Sequence, residues 1–165
     1  FQTHILELMD TAVAHAAAQQ CRRCPMEITA NAAQTVAAGQ NVVFSDTAVP
    51  GNCSIMHREG SGLAKLRGLT STQCRARFKA TFGGNIAVPT GGTAGAISLA
   101  LTIDGEAVAT TTMTVTPAAV GEYFNVGSSI YLDVPAGCCS TLGVTNISSQ
   151  AVSVINANLI VERVA

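Results

Sequence analysis

From Asn41 to Ala165 apolar and polar residues alternate in short runs closed by glycine, proline or asparagine. The clearest run is Cys74 to Phe82. Cys74, Ala76, Phe78, Ala80 and Phe82 share one parity, and Arg75, Arg77, Lys79 and Thr81 share the other. Alternate side chains of a strand point to opposite faces, so this run predicts a half-buried antiparallel strand with a basic outer face. Further strands are predicted over Asn41 to Ala48, Cys53 to Arg58, Leu63 to Arg67, Ile86 to Val88, Ala96 to Ile103 and Ala107 to Val115. Phe124 to Val126, Ser129 to Val134, Cys138 to Asn146 and Val152 to Val164 complete the set. Pro50-Gly51-Asn52, Gly83-Gly84-Asn85 and Asp104-Gly105 are expected to break them, the last as a two-residue hairpin turn. Turns about every 8 to 12 residues predict an all-β fold, an antiparallel β-sandwich or barrel.

The amino-terminal part has a different period. Leu6, Met9, Val13, Ala16 and Gln20 recur at helical spacing, the seam of a coiled coil. Residues 1–24 therefore predict an N-terminal helical arm that ends where Pro25 disfavours helical geometry at Cys24. Its apolar stripe needs a partner, so Leu6, Met9, Val13 and Ala16 are the candidate oligomer or anchor residues. Residues 25–40 predict a connector carrying one short strand, Gln34-Thr35-Val36. Residues 41–165 form the sandwich.

Composition adds a constraint. Apolar residues make up 48% of the 165 and charged residues 12%, about half the usual charged share. No apolar run approaches the ~20 residues of a membrane span. The apolar excess is therefore expected at contacts between subunits. A net charge of −1 argues against nucleic acid as a partner. The chain opens at Phe1 without the charged-then-apolar pattern of a signal peptide.

Candidate chemistry is sparse. His57-Arg58-Glu59 are neighbours, and neighbours on a strand face opposite ways, so they do not converge. Gly91-Gly92-Thr93-Ala94-Gly95 lacks the lysine and following helix of a phosphate loop. Asp104, Glu106 and Asp133 are too few oxygens for calcium unless several turns meet. Cys21 and Cys24 are compatible with free thiols, a disulfide or half a metal site. Of the adjacent pair Cys138 and Cys139, one is expected to face the core. Asn52-Cys53-Ser54 and Asn146-Ile147-Ser148 match the glycosylation pattern by accident. No cofactor, metal or catalytic set is expected, and the chain does not read as an enzyme.

The stretch Gln34 to Phe44, with Ser54-Ile55-Met56-His57-Arg58-Glu59-Gly60-Ser61-Gly62 and the closing Asn156 to Val161, resembles the compact jelly-roll domains related to tumour necrosis factor and C1q. Bacterial spore-surface tips and bacteriophage head-fibre or capsid-decoration proteins look most similar. The likeness spans residues 34 to 165, although the aromatic packing of that family is thin here. It implies a homotrimer whose apolar strand faces meet at a threefold axis. It also implies a virion location on the capsid surface, with the arm anchored to a major capsid or other virion protein. Phe78, Tyr123, Tyr131 and Ile160 are the candidates for the intersubunit core. The rival reading is an extracellular receptor- or glycan-binding tip for a host surface, with Tyr123, Tyr131 and Asp133 as its nucleus.

Overall fold

The structure is a computed structural model that describes residues 25–51 and 54–165. The predicted arm, with Leu6, Met9, Val13 and Ala16, lies outside these residues. The described residues form β1 (Met26–Ala30), β2 (Gln34–Val36), β3 (Asp46–Val49), β4 (Ile55–His57), β5 (Leu63–Arg67), β6 (Arg75–Ala87) and β7 (Ile97–Ile103). They continue with β8 (Glu106–Ala107), one 3-10 turn (Ala109–Thr111), β9 (Met113–Val115), β10 (Phe124–Pro135), β11 (Cys139–Asn146) and β12 (Val152–Arg163). Two six-stranded sheets result. The first runs β10-β6-β12-β1-β3, with β2 on β12, and the second runs β4-β5-β11-β7-β8, with β9 on β7. Every pairing is antiparallel.

The two-residue period of β6 decides how the sheets face each other. Ala76, Phe78, Ala80 and Phe82 are fully or almost fully buried, while Arg75, Arg77 and Thr81 are exposed. Phe78, Phe82 and Leu159 from the first sheet join Leu66, Leu99, Leu101 and Leu142 from the second in one apolar core. The second sheet departs from alternation. Leu99, Ala100, Leu101 and Thr102 of β7 are all buried, as are Leu142 and Val144 of β11. Much of the apolar excess in the composition is thus absorbed inside the chain. Large apolar side chains left exposed include Val49, Met56, Val120 and Ile147, with Tyr131 and Ile160 on the first sheet.

Several strand boundaries differ from the sequence reading. Gly83-Gly84-Asn85, expected as a turn, continues β6 as far as Ala87. Gly83 opposes Gly127 of β10 and Asn158 of β12. A Cβ on Gly83 would stand 2.9 Å from the Asn158 Oδ1, so glycine here serves close approach rather than chain reversal. The same pair lets β10 run unbroken where two strands were expected. Met26–Ala30, placed in the connector, alternates buried and half-buried and pairs with Ala157–Val161. The connector therefore carries two strands, β1 and β2, which take successive segments of one side of β12. The predicted strand over Ala107 to Val115 splits into β8, the 3-10 turn and β9. Buried Thr111 stabilises that break by bonding the Leu101 N–H at 2.9 Å and the Val108 carbonyl at 2.6 Å. Asp104-Gly105 forms the expected hairpin turn, with φ of 52° and 85°, the two positive values that a primed turn requires.

Phe78 has no exposure in its own chain. It belongs to the internal core and is not available to a sister copy, which removes it from the intersubunit candidates. Phe78→Ala is expected to lower unfolding stability by about 3–5 kcal/mol, read as a lower denaturant midpoint by circular dichroism with little change in slope.

Candidate functional site

With the core on one side of the first sheet, its other side is a defined outward face. Register assigns its rows. At one end Arg77 Nε and Nη2 donate to the two Asp133 oxygens at 2.8 and 3.1 Å, and Arg75 Nε lies 3.3 Å from Oδ2. The hydrogen bond from Arg77, helped by the Arg75 charge, holds the Asp133 carboxyl below its ordinary value of 3.8. In the next row Tyr131, Lys79 and Glu162 stand side by side. Tyr131 is 62% exposed, and the Lys79 ammonium sits 5.9 Å from its ring centre, within cation–π range.

The middle of the face is flat and uncharged. Ser129, Thr81 and Ile160 share one row, with the Ser129 and Thr81 hydroxyls 3.1 Å apart. Gly127, Gly83 and Asn158 share the next. Beyond it four amides form a directed chain across the strands. Asn125 Nδ2 donates to Asn85 Oδ1 at 3.1 Å, Asn85 Nδ2 to Asn156 Oδ1 at 3.2 Å, and Asn156 Nδ2 to Asn31 Oδ1 at 2.7 Å. Asn156 has a φ of 53° and lies where the β12 register shifts between Ile155 and Asn158. This β-bulge turns its amide toward Asn31.

A second feature lies at one end of the sandwich. Where β6 leaves and β12 enters, an open cleft of about 680 Å³ is lined by Thr35, Thr90, Thr93, Tyr123, Gln150 and Ser153 together with the Gly91-Gly92 turn and Val88. The Tyr123 hydroxyl is 2.7 Å from Ser153 Oγ. The Gln150 amide clamps Thr93, accepting from its N–H at 3.1 Å and donating to its carbonyl at 2.8 Å. Fully buried Asn146 supports this end. Its Nδ2 donates to the Val36 and Gln150 carbonyls, both at 2.9 Å, and its Oδ1 accepts from the Ser148 N–H and hydroxyl. The Asn146-Ile147-Ser148 pattern is therefore a structural turn with an inaccessible amide. Asn146 and Gln150 went unremarked as site residues, because their roles depend on partners more than a hundred and more than fifty positions away.

The remaining candidates do not converge. His57 is a strut: Nε2 faces the Ser61 carbonyl at 3.0 Å and so must donate, leaving Nδ1 to accept from Thr47 Oγ1 at 3.0 Å. Arg58 and Glu59 point into solvent. Asp104 accepts from the Thr141 N–H in the second sheet, far in topology from Asp133 in the first. Among the described residues no three His, Cys, Asp or Glu side chains are grouped to hold a metal. Cys74, Cys138 and Cys139 are free and exposed. Neither Cys138 nor Cys139 faces the core as expected, because Cys138 closes a turn on the Pro135 carbonyl and Cys139 begins β11. Tyr123 immediately precedes β10 and Tyr131 lies well inside it, roughly 25 Å away at strand rise. They cannot form one binding nucleus with Asp133.

The architecture is that of the compact jelly-roll domains. The chain is similar to an Eiger tumour necrosis factor from S. frugiperda, with a TM-score of 0.65 and 11% identity over 87% of this chain and 94% of that one. It is similar to murine APRIL, with a TM-score of 0.60 and 7% identity over 86% and 99%. The globular domain of zebrafish complement 1qA protein gives a TM-score of 0.57 and 10% identity over 86% and 95%. At such identities the likeness is one of fold. No family model and no curated protein matches the sequence. Among the described residues no helix is long and apolar enough to cross a membrane.

Two predictions follow from this geometry. Asn146→Ala leaves two carbonyls and an N–H without their partner, so it is expected to cost about 2–4 kcal/mol, measured by thermal or denaturant unfolding. Asp133 titrates below its unfolded value. Its contribution to stability is therefore present above the unfolded pKa and lost as pH falls through the folded one. In a carboxyl NMR titration Asp133 should stay ionised below pH 3.8, and Arg77→Ala should return it toward that value.

Proposed function

We propose that this chain is a non-catalytic assembly module that forms a homotrimer through the outward face of its first sheet. In this reading residues 1–24 tie the trimer to a larger body, the capsid of a phage being the assembly that the sequence resemblance suggests. The observation that carries the reading is the middle of that face. Ser129, Thr81 and the opposed Gly127 and Gly83 make a flat, uncharged surface with exposed Ile160 on it, and exposed Tyr131 stands one row away beside Lys79 and Glu162. Strands meeting at a symmetry axis need such a surface, since charge there would be desolvated without a counter-charge. Glycine at the centre lets backbones approach. At one end Arg75 and Arg77 share the single Asp133 carboxylate, which leaves one net positive charge there and the assembly contacts to the neutral rows.

The jelly-roll neighbours support the reading at the level of fold, and fold alone is a weak guide to function. What separates this chain from a catalytic jelly roll is the dispersal of its titratable groups. His57 is fixed by a hydroxyl and a carbonyl rather than by a carboxylate, so no activated nucleophile or acid–base pair is built around it.

The expected mass of the purified full chain at micromolar concentration, measured by light scattering or native mass spectrometry, is that of three copies. Ile160→Arg, on the outward side of β12, should shift this mass toward one copy while leaving the circular dichroism spectrum unchanged. A native chain that stays a single copy under these conditions sinks the proposal, and so does a trimer that is indifferent to the Ile160 substitution.

A further inference from the structure

We infer that the cleft bounded by Thr35, Thr90, Thr93, Tyr123 and Gln150 is a binding site for a neutral, hydroxyl-rich ligand, a short uncharged oligosaccharide. The inference goes beyond the assembly reading and needs only the folded chain. Its size comes first. A cleft of about 680 Å³ falls within the roughly 300–1,000 Å³ range of small-molecule sites.

Chemistry narrows the ligand. None of the lining side chains is charged, so a phosphate, carboxylate or ammonium would lose its water without gaining a counter-charge. An apolar ligand is equally ill served, because the cleft is open and edged by hydroxyls and turn backbone. What the cleft offers is neutral hydrogen bonding. Tyr123 and Ser153 share one bond and Gln150 is committed to Thr93. Among the described residues the hydroxyls of Thr35, Thr90 and Thr93 have no side-chain hydrogen bond within the chain, so they remain for a ligand. Tyr123, 42% exposed, presents a ring against which the C–H face of a sugar can pack.

Rigidity and position give further support. The Gln150 amide holds the glycine-rich turn from both its N–H and carbonyl sides, and the Gln150 carbonyl is itself held by buried Asn146. The cleft is therefore braced before any ligand arrives, which limits the ordering cost of binding. It also stands at the pole opposite Met26 and Arg163, where the described chain enters the sheet and β12 ends. The twelve residues of β12 put roughly 35–40 Å between the two poles.

The test is amide NMR of the full chain, titrated with maltotetraose, cellotetraose and tetra-N-acetylchitotetraose, with inorganic phosphate as the anionic probe. At least one neutral sugar should move the Gly91, Gly92, Thr93 and Gln150 signals with a Kd on the order of 1 mM. Tyr123→Ala and Thr90→Trp should each weaken that Kd about tenfold or more. Thr90 is an exposed turn residue, so its variant keeps the test open if Tyr123→Ala unfolds. The inference is overturned if none of the sugars shifts these signals at about 10 mM, if phosphate shifts them and the sugars do not, or if the Thr90 variant binds as the native chain does. Native mass is read separately, so loss of the trimer and loss of sugar binding are distinct outcomes.

Discussion

The structure depends on one constraint, the strict two-residue period of β6 between β10 and β12. Ala76, Phe78, Ala80 and Phe82 commit one face to the core, and by parity alone Arg75, Arg77, Lys79, Thr81 and Gly83 are committed to the other. A slip of one residue would place guanidinium groups among the leucines of the second sheet, so the register has no near competitor. β12 then copies the same phase, with Leu159 and Val161 inward and Ile160 outward. The outward face is thus a by-product of core packing. Its flat centre arises where the outward parity falls on glycine in both β6 and β10.

That dependence explains what could be read from residue order. The phase of β6, the extent of β5, the hairpin at Asp104-Gly105 and the long closing strand all rest on neighbours within one segment, so local pattern was enough. Gly83-Gly84 was misread because glycine pairs usually punctuate a chain. Here they serve a partner 75 positions away, Asn158. β1 was passed over for a similar reason. Met26 to Ala30 has one strongly apolar residue besides Met26, and it becomes a strand only because β12 offers it an edge. Of the candidate site, Tyr131 and Ile160 were named through the family resemblance alone, and both lie exposed on the outward face. The place of Phe78 was not legible, because parity put it on the buried face but did not tell whether a second sheet of the same chain or a sister copy covers that face.

Composition misled in an instructive way. The low charge and high apolar content suggested surfaces hidden against sister copies. The second sheet instead buries both parities of β7 and much of β11, so the excess is consumed within the protomer. The argument for assembly therefore has to rest on the character of one face rather than on a surplus of hydrophobic residues. A flat neutral centre and a pair of exposed apolar side chains, with a charge cluster held to one end, are more specific than a percentage.

The two ends of the sandwich are built differently, and the difference follows from strand direction. β1 begins, and β12, β10 and β5 end, at the pole that carries Cys74, Cys138 and Cys139. Loops there are tied by backbone bonds between Gly68, Cys138 and Gly137 and by the buried Arg163 guanidinium, which donates to the Leu69 carbonyl at 2.6 Å. The opposite pole has a longer glycine-rich turn, closed by backbone bonds from Gly92 to Pro89 and from Gly121 to Val88 and braced further by the side-chain amides of Asn146 and Gln150. At the glycine-rich pole the amides take up backbone groups of Thr93 and Gln150, and the cleft beside them stays polar and open. The proposed attachment and the proposed recognition would thus use opposite ends of one sandwich.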